Sequence, residues 1–268
     1  MTCLRQVSAN GHEFNCYDSG EGPTLLFVHG FPLDHTQWSA QFDELSRVAR
    51  VIAPDLRGFG VNAAADGTLQ MSDFADDLAA LLDALDISTP ITLCGLSMGG
   101  YIAWQFWDRY RERLNGLILC DTRAKNDTEA VARGRLQLAE RVIRDGFQTA
   151  GEDMLKKLLA PENQTELPHV AAQLLTVMTT THRTTIAAAL RGMAERPDMT
   201  ERLGEIDLPV LVICGSEDVI TPAEEMRQVA AALPRATYVE VPHAGHLSPL
   251  ENPGIVNGEI RAFLGSLS

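Results

Sequence analysis

Long apolar runs are missing from this chain of 268 residues, and none approaches the roughly 20 residues that a membrane-spanning helix needs. The opening stretch MTCLRQVSANGHEF has no apolar segment of the kind a secretory signal carries, so a cytoplasmic protein is expected. Basic residues are scarce, 22 Lys and Arg against 36 Asp and Glu, giving a formal charge of −14 at pH 7. Such a surface repels phosphate backbones and anionic headgroups, so neither nucleic acid nor a membrane is expected as a partner. Cysteine pairing is absent too: the five cysteines form no C-x-x-C, and Cys94, Cys120 and Cys214 each lie near the end of an apolar run. Buried reduced thiols account for that pattern better than a disulfide framework does. The seven histidines show no H-E-x-x-H or comparable ligand spacing, so no metal site is expected.

What the chain does contain is alternation. Asn10-Gly11 joins two short strand-like runs as a hairpin turn would. After it come TLLFVHG, VARVIAPDL, ITLCGLS, LNGLILCDT, LPVLVICGSED and ATYVEVPHAG, short runs rich in Val, Ile and Leu. Continuous runs of this kind suit strands of a parallel sheet buried on both faces. Helical patterns lie between them. From Ser72 to Leu85, residues Phe74, Leu78, Leu81, Leu82 and Leu85 share one helical face. Ser72 is read as the N-cap, and Asp73, Asp76 and Asp77 as a solvated face near the positive end of the helix dipole.

The alternation breaks once, from about Arg123 to Glu205, where only helical stretches such as EAVARGRLQLAERVI and VAAQLLTVMTT occur. The expected organisation is an α/β core of residues 1–122 and 206–268, with a helical cap of residues 123–205 inserted between two core strands. Met154, Met178 and Met193 are read as filling the cap's own interior rather than lining an acyl pocket.

Chemistry enters at ITLCGLSMGGYIAWQF. Gly95-Leu96-Ser97-Met98-Gly99 fits G-x-S-x-G with a strand before it and a helix after it, the context in which a strained turn lifts the serine above a sheet. Ser97 is the candidate nucleophile, and the Met98 N–H at the helix start is a donor toward negative charge. A serine needs a base, and the base an orienting acid. With this turn type the chain order is Ser, then Asp or Glu, then His. His246 in VPHAGHLSPLENP is preferred as base, with His243 as rival; His12, His35, His169 and His182 show no partner. Asp218, after the run LPVLVICG, is preferred as acid over Asp121, which is alternatively a hinge residue bonding local backbone; Glu217 reads as solvated. His29-Gly30-Phe31-Pro32 ends an early strand and offers the Phe31 N–H as second oxyanion donor.

These residues make the chain resemble the α/β-hydrolase superfamily over nearly its whole length. The carriers are HGFPLDHTQW (29–38), DLRGFG (55–60), GLSMGG (95–100), GSEDVITP (215–222) and HAGHLSPLENP (243–253). The resemblance implies an eight-stranded, mostly parallel sheet, a Ser97–His246–Asp218 triad and an oxyanion hole from Phe31 and Met98. It assigns Asp55 and Arg57 to structural support. Val61-Asn62 departs from the small polar residue that relatives carry after Gly60, so this loop is expected to differ. Serine at position 97 separates the chain from members that use aspartate or cysteine there.

Among serine members the likeness runs to small bacterial esterases, 3-oxoadipate enol-lactonases and cofactor-free haloperoxidase or perhydrolase relatives, the last sharing proline at position 32. The implied activity is cleavage of a small-molecule ester or lactone through an acyl-enzyme, with no cofactor. Carbon–carbon bond hydrolysis and perhydrolysis are the alternatives within the fold. A non-catalytic receptor is the alternative outside catalysis, and turnover discriminates it.

Overall fold

A computed structural model describes residues 3–267. Its strands are β1 (Leu4–Ala9), β2 (His12–Ser19), β3 (Thr24–Val28), β4 (Arg50–Pro54), β5 (Ile91–Leu96), β6 (Leu114–Cys120), β7 (Val210–Gly215) and β8 (Ala236–Val241). Its α-helices are α1 (Ser39–Leu45), α2 (Met71–Ala84), α3 (Met98–Tyr110), α4 (Glu129–Asp145), α5 (Gln148–Leu158) and α6 (Asn163–Glu166). The remainder are α7 (Pro168–Thr180), α8 (Arg183–Ala194), α9 (Ala223–Ala232), α10 (Ser248–Glu251) and α11 (Pro253–Ser266).

All eight strands form one sheet in the order β1-β2-β4-β3-β5-β6-β7-β8. β1 and β2 are antiparallel, β2 meets β4 antiparallel, and every other pairing is parallel. Asn10 and Gly11 make the β1–β2 turn with positive φ of 47° and 75°, as a two-residue hairpin of this twist requires. β3, β5 and β7 are buried at every residue, which is why they read as unbroken apolar runs. β8 is a correction. It is the edge of the sheet and leaves Thr237 and Glu240 exposed, so the both-faces-buried reading fails there.

Helix α2 differs from its sequence reading in two respects. The cap is Gln70, whose N–H donates to the Asp73 carboxylate at 2.8 Å, while Ser72 lies inside the first turn. Asp77 is fully buried, not solvated. It pairs with the Arg57 guanidinium, whose Nε donates at 2.7 Å, and with the Asn10 amide, also at 2.7 Å. Both partners come from distant points of the chain, so no local pattern marks Asp77 out. Asp76 binds Arg109 at the sheet-side neighbour α3.

Between β6 and β7 the chain forms α4 to α8 without a strand. At its start, the buried side chain of half-buried Asp127 accepts from Arg135 at 2.6 Å and pairs with Arg196 at 2.8 Å. The Arg196 guanidinium lies 4.2 Å from the ring centroid of Tyr101 on α3, tying the end of the helical segment to the core. Met178 and Met193 are buried and Met154 is half-buried, all packed in the apolar interior.

Candidate active site

β3 lies between β4 and β5, so successive crossovers from it run to opposite sides of the sheet. The carboxyl ends of strands at such a switch point open a crevice. The turns after β3, β5, β6, β7 and β8 carry His29–Pro32, Ser97, Asp121, Asp218 and His246 respectively.

Ser97 sits between β5 and α3 with φ 54° and ψ −113°, a strained conformation for a residue with a side chain. The turn closes this tightly because its neighbours lack side chains. A Cβ on Gly95 would strike the Gly99 carbonyl, and one on Gly99 would strike the Val28 carbonyl of β3. The Ser97 N–H donates to the Cys120 carbonyl at 3.0 Å, and the Thr122 hydroxyl donates to the Ser97 carbonyl at 2.7 Å. Met98 opens α3, where first-turn N–H groups have no intrahelical acceptor.

Ser97 Oγ lies 2.9 Å from His246 Nε2, and His246 Nδ1 lies 2.7 Å from Asp218 Oδ2. With a carboxylate facing Nδ1, the proton belongs there, and Nε2 is left as acceptor for the serine hydroxyl. Asp218 is held by its own loop: Oδ1 accepts from the N–H groups of Ile220 at 2.7 Å and Thr221 at 2.9 Å. The Thr221 hydroxyl donates to Oδ2 at 2.5 Å. Burial alone would raise the Asp218 pKa; the charge and hydrogen bond of His246, with those of Thr221, outweigh it and hold the carboxyl below its ordinary value.

The histidine loop is gripped by the helical segment. The His246 N–H donates to the Leu158 carbonyl at 2.9 Å, and the Asn163 amide donates to the His243 carbonyl at 2.8 Å. Glu251 joins the two segments. Its Oε2 accepts from Ala160 N–H at 2.7 Å and Asn163 at 2.8 Å, and its Oε1 from Gly245 N–H at 2.8 Å.

On the opposite side, buried His29 accepts the Leu56 N–H on Nε2 at 3.0 Å, which leaves Nδ1–H to donate to the Gly30 carbonyl at 2.9 Å. Burial lowers its pKa, so it is a neutral fixture of the loop. The Gln37 side-chain oxygen accepts the Gly30 N–H at 2.8 Å. Phe31 follows, buried, joined to Pro32 by a cis peptide bond, with its ring 6.1 Å from that of Phe147 at the α4–α5 turn.

The sequence matches the α/β hydrolase fold family over residues 23–253. The chain belongs to the α/β-hydrolase fold family. A thermophilic esterase from Thermogutta terrifontis, solved with malate bound, is 41% identical, with TM-score 0.95 and 98% of each chain covered. The enol-lactonase from Burkholderia xenovorans LB400 is 26% identical, with TM-score 0.91, covering 97% of this chain and 100% of its own. BpoC of Mycobacterium tuberculosis, provisionally described as a non-heme bromoperoxidase, is 32% identical over 93% of this chain and 97% of its own. This α/β hydrolase is an enzyme whose likenesses run to esterases and enol-lactonases.

The rival residues of the hydrolase stand outside the hydrogen-bonded line from Ser97 through His246 to Asp218. His243 and Glu217 are exposed, as are His12, His169 and His182. His35 does have a partner, contrary to the sequence reading: its Nδ1 lies 2.6 Å from Asp55 Oδ1. Asp55 also accepts from the Asn15 amide at 2.9 Å, and Asn62 donates to its carbonyl at 2.8 Å, so the departing Val61-Asn62 pair is one exposed valine and one buried brace. Asp121 is buried and bonds to residues distant in sequence, not to local backbone. Burial pushes the Cys16 thiol up to about 12 and raises Cys214 as well, so these thiols are poor nucleophiles. Among the described residues no helix is long and apolar enough to cross a membrane.

Sequence reasoning passed over Thr221, Thr122, Ser248 and Gln37. Thr221 had a signal: Asp218 heads a loop in which its side chain bonds the N–H two residues on, an Asx turn, and Thr221 is the next residue. Thr122 and Ser248 act across the fold and leave no local mark, and Gln37 reaches back seven residues to Gly30.

Proposed function

We propose that Ser97, His246 and Asp218 form a catalytic triad that hydrolyses a carboxylic ester or lactone of a small molecule through an acyl-enzyme. The observation that carries it is the continuous hydrogen-bonded line from Ser97 Oγ through His246 to Asp218, at 2.9 and 2.7 Å. Residues 1–122 and 206–268 are the catalytic core in this reading, and residues 123–205 the cap that shapes the substrate site.

The reaction follows from the groups in line. His246 Nε2 takes the Ser97 proton as Oγ attacks the ester carbonyl. Negative charge gathers on the carbonyl oxygen, which the N–H groups of Phe31 and Met98 stabilise. The C–O bond to the alcohol breaks, and the leaving oxygen takes the proton from His246. Water then attacks the acyl group, giving its proton to His246, and Ser97 departs with that proton as the carboxylic acid is released. Asp218 stays ionised and stabilises the imidazolium in both halves. One water is consumed per bond cleaved, and the names of the esterase and enol-lactonase relatives agree with this chemistry.

A panel of activated esters and lactones of graded acyl length, read as initial rates, tests the proposal. Wild type should turn over many equivalents of some member, and Ser97→Ala should lose almost all of that rate while keeping its circular dichroism spectrum. A rate within a few-fold of wild type in Ser97→Ala would remove the triad. The likeness to BpoC supports a second reading, in which hydrogen peroxide replaces water at the acyl-enzyme and a peracid is released. Peracid formation measured beside hydrolysis on one ester separates the two.

A further inference from the structure

Asp121 is a buried carboxylic acid that the proposed chemistry does not use. It follows β6 directly and has a positive φ of 45°, a conformation that persists in a non-glycine residue only where the surroundings fix it. Two distant loops do so. Oδ1 accepts from the N–H of Gly215 at 2.8 Å, at the end of β7 and just upstream of Asp218. Oδ2 accepts from the Ser248 hydroxyl at 2.6 Å and the Ser248 N–H at 3.3 Å, just downstream of His246. Its own N–H donates to the Ile213 carbonyl of β7 at 2.9 Å. The residues on either side of it hold the nucleophile turn, Cys120 through its carbonyl and Thr122 through its hydroxyl. The tip of β6 is therefore bonded to the loops of serine, acid and base alike.

We propose that Asp121 is a positioning residue for the hydrolysis described above: its carboxyl group fixes the spacing between the acid loop and the histidine loop, so that Asp218, His246 and Ser97 stay in line. The role rests on the triad reading and extends it. Its electrostatics differ from those of Asp218. Burial, and after it the charge of Asp218, raises the Asp121 carboxyl well above its ordinary value. Shape and hydrogen bonding are what the two loops require of residue 121. Asparagine keeps the shape, and its oxygen can accept from the Gly215 N–H while its amide donates to the Ser248 hydroxyl oxygen, leaving only the Ser248 N–H without its acceptor. Alanine supplies neither, and leaves all three donors, Gly215 N–H and the Ser248 hydroxyl and N–H, without their acceptor.

The test compares Asp121→Ala, Asp121→Asn and Ser248→Ala with wild type, Ser97→Ala and Asp218→Asn on one activated ester. It reads kcat, KM, thermal unfolding and the rate at which an organophosphonate labels Ser97. In folded Asp121→Ala, kcat and the labelling rate should fall about 10- to 100-fold, the scale of a reacting group displaced by about an ångström. KM should stay within about two-fold, because substrate contacts are untouched. Asp121→Asn should recover most of the loss, and Ser248→Ala should fall in the same direction as Asp121→Ala. Wild-type kcat in folded Asp121→Ala would overturn the proposal. So would an Asp121→Asn as inactive as Asp218→Asn, which would make Asp121 a charged acid in its own right. Should Asp121→Ala fail to fold, Ser248→Ala decides, and an unchanged kcat there rejects the role. Full activity in Ser97→Ala would instead reject the triad reading itself, a separate outcome.

Discussion

A single carboxylate oxygen, Asp218 Oδ2, serves both His246 Nδ1 and the Thr221 hydroxyl, at 2.7 and 2.5 Å. The threonine thus fixes the angle at which the carboxylate meets the imidazole. Asp218→Asn keeps the shape but presents a different hydrogen-bonding pattern to Nδ1, and should lower kcat by about ten-thousand-fold, the loss seen for this change in a serine protease. Thr221→Val keeps the charge and removes one hydrogen bond to it, worth about 1.5–3 kcal/mol. Its kcat should drop by about 10- to 100-fold with KM little changed. Steady-state kinetics on one ester measure both. A Thr221→Val enzyme as damaged as Asp218→Asn would mean that the hydroxyl, rather than the carboxylate, orients the base.

At the scale of elements, the turn between β5 and α3 works because strand β3 passes close beneath it. Gly99→Ala would drive a methyl into the Val28 carbonyl, which is backbone and cannot swing aside. Such overpacking should cost about 1–3 kcal/mol or more in denaturant unfolding; an unchanged midpoint would show that the turn has slack. The helical segment is fastened in turn by Glu251, whose carboxylate bonds Ala160 and Asn163 on one side and Gly245 on the other. What the sequence made legible follows from this distinction between local and distant causes. The strands from β3 to β7, the hairpin at Asn10-Gly11 and the serine turn declare themselves through composition and spacing over a few residues. Ser97, His246 and Asp218 could be ordered because the turn type carries its own chain order. Asp77, His35 and Asp121 could not be read correctly, since each is defined by a partner 20 or more residues away. The N-cap of α2 slipped because Gln70 caps through a reciprocal bond with Asp73 that a serine preference does not anticipate.

For the molecule as a whole, the His35–Asp55 pair joins the loop after β3 to the end of β4 and gives stability a pH dependence. Burial opposes both charges, but the pairing outweighs it, lowering the Asp55 pKa and raising that of His35. The aspartate contribution is present above the ordinary value of about 3.9 and is lost as pH falls through the lowered one. The histidine contribution is full below about 6.5 and is lost as pH rises through the raised value. The stability gap between wild type and His35→Asn should therefore be widest at mildly acid pH and narrow into the alkaline range, read by urea unfolding. A gap independent of pH would mean that the pair is a neutral hydrogen bond. The central claim is the acyl-enzyme on Ser97, and the most direct measurement is mass spectrometry of enzyme mixed with an activated ester and quenched in acid during turnover. One acyl group per chain is expected, on the peptide containing Ser97 and absent from Ser97→Ala. Acylation at another residue, or turnover in Ser97→Ala at the wild-type rate, would contradict it.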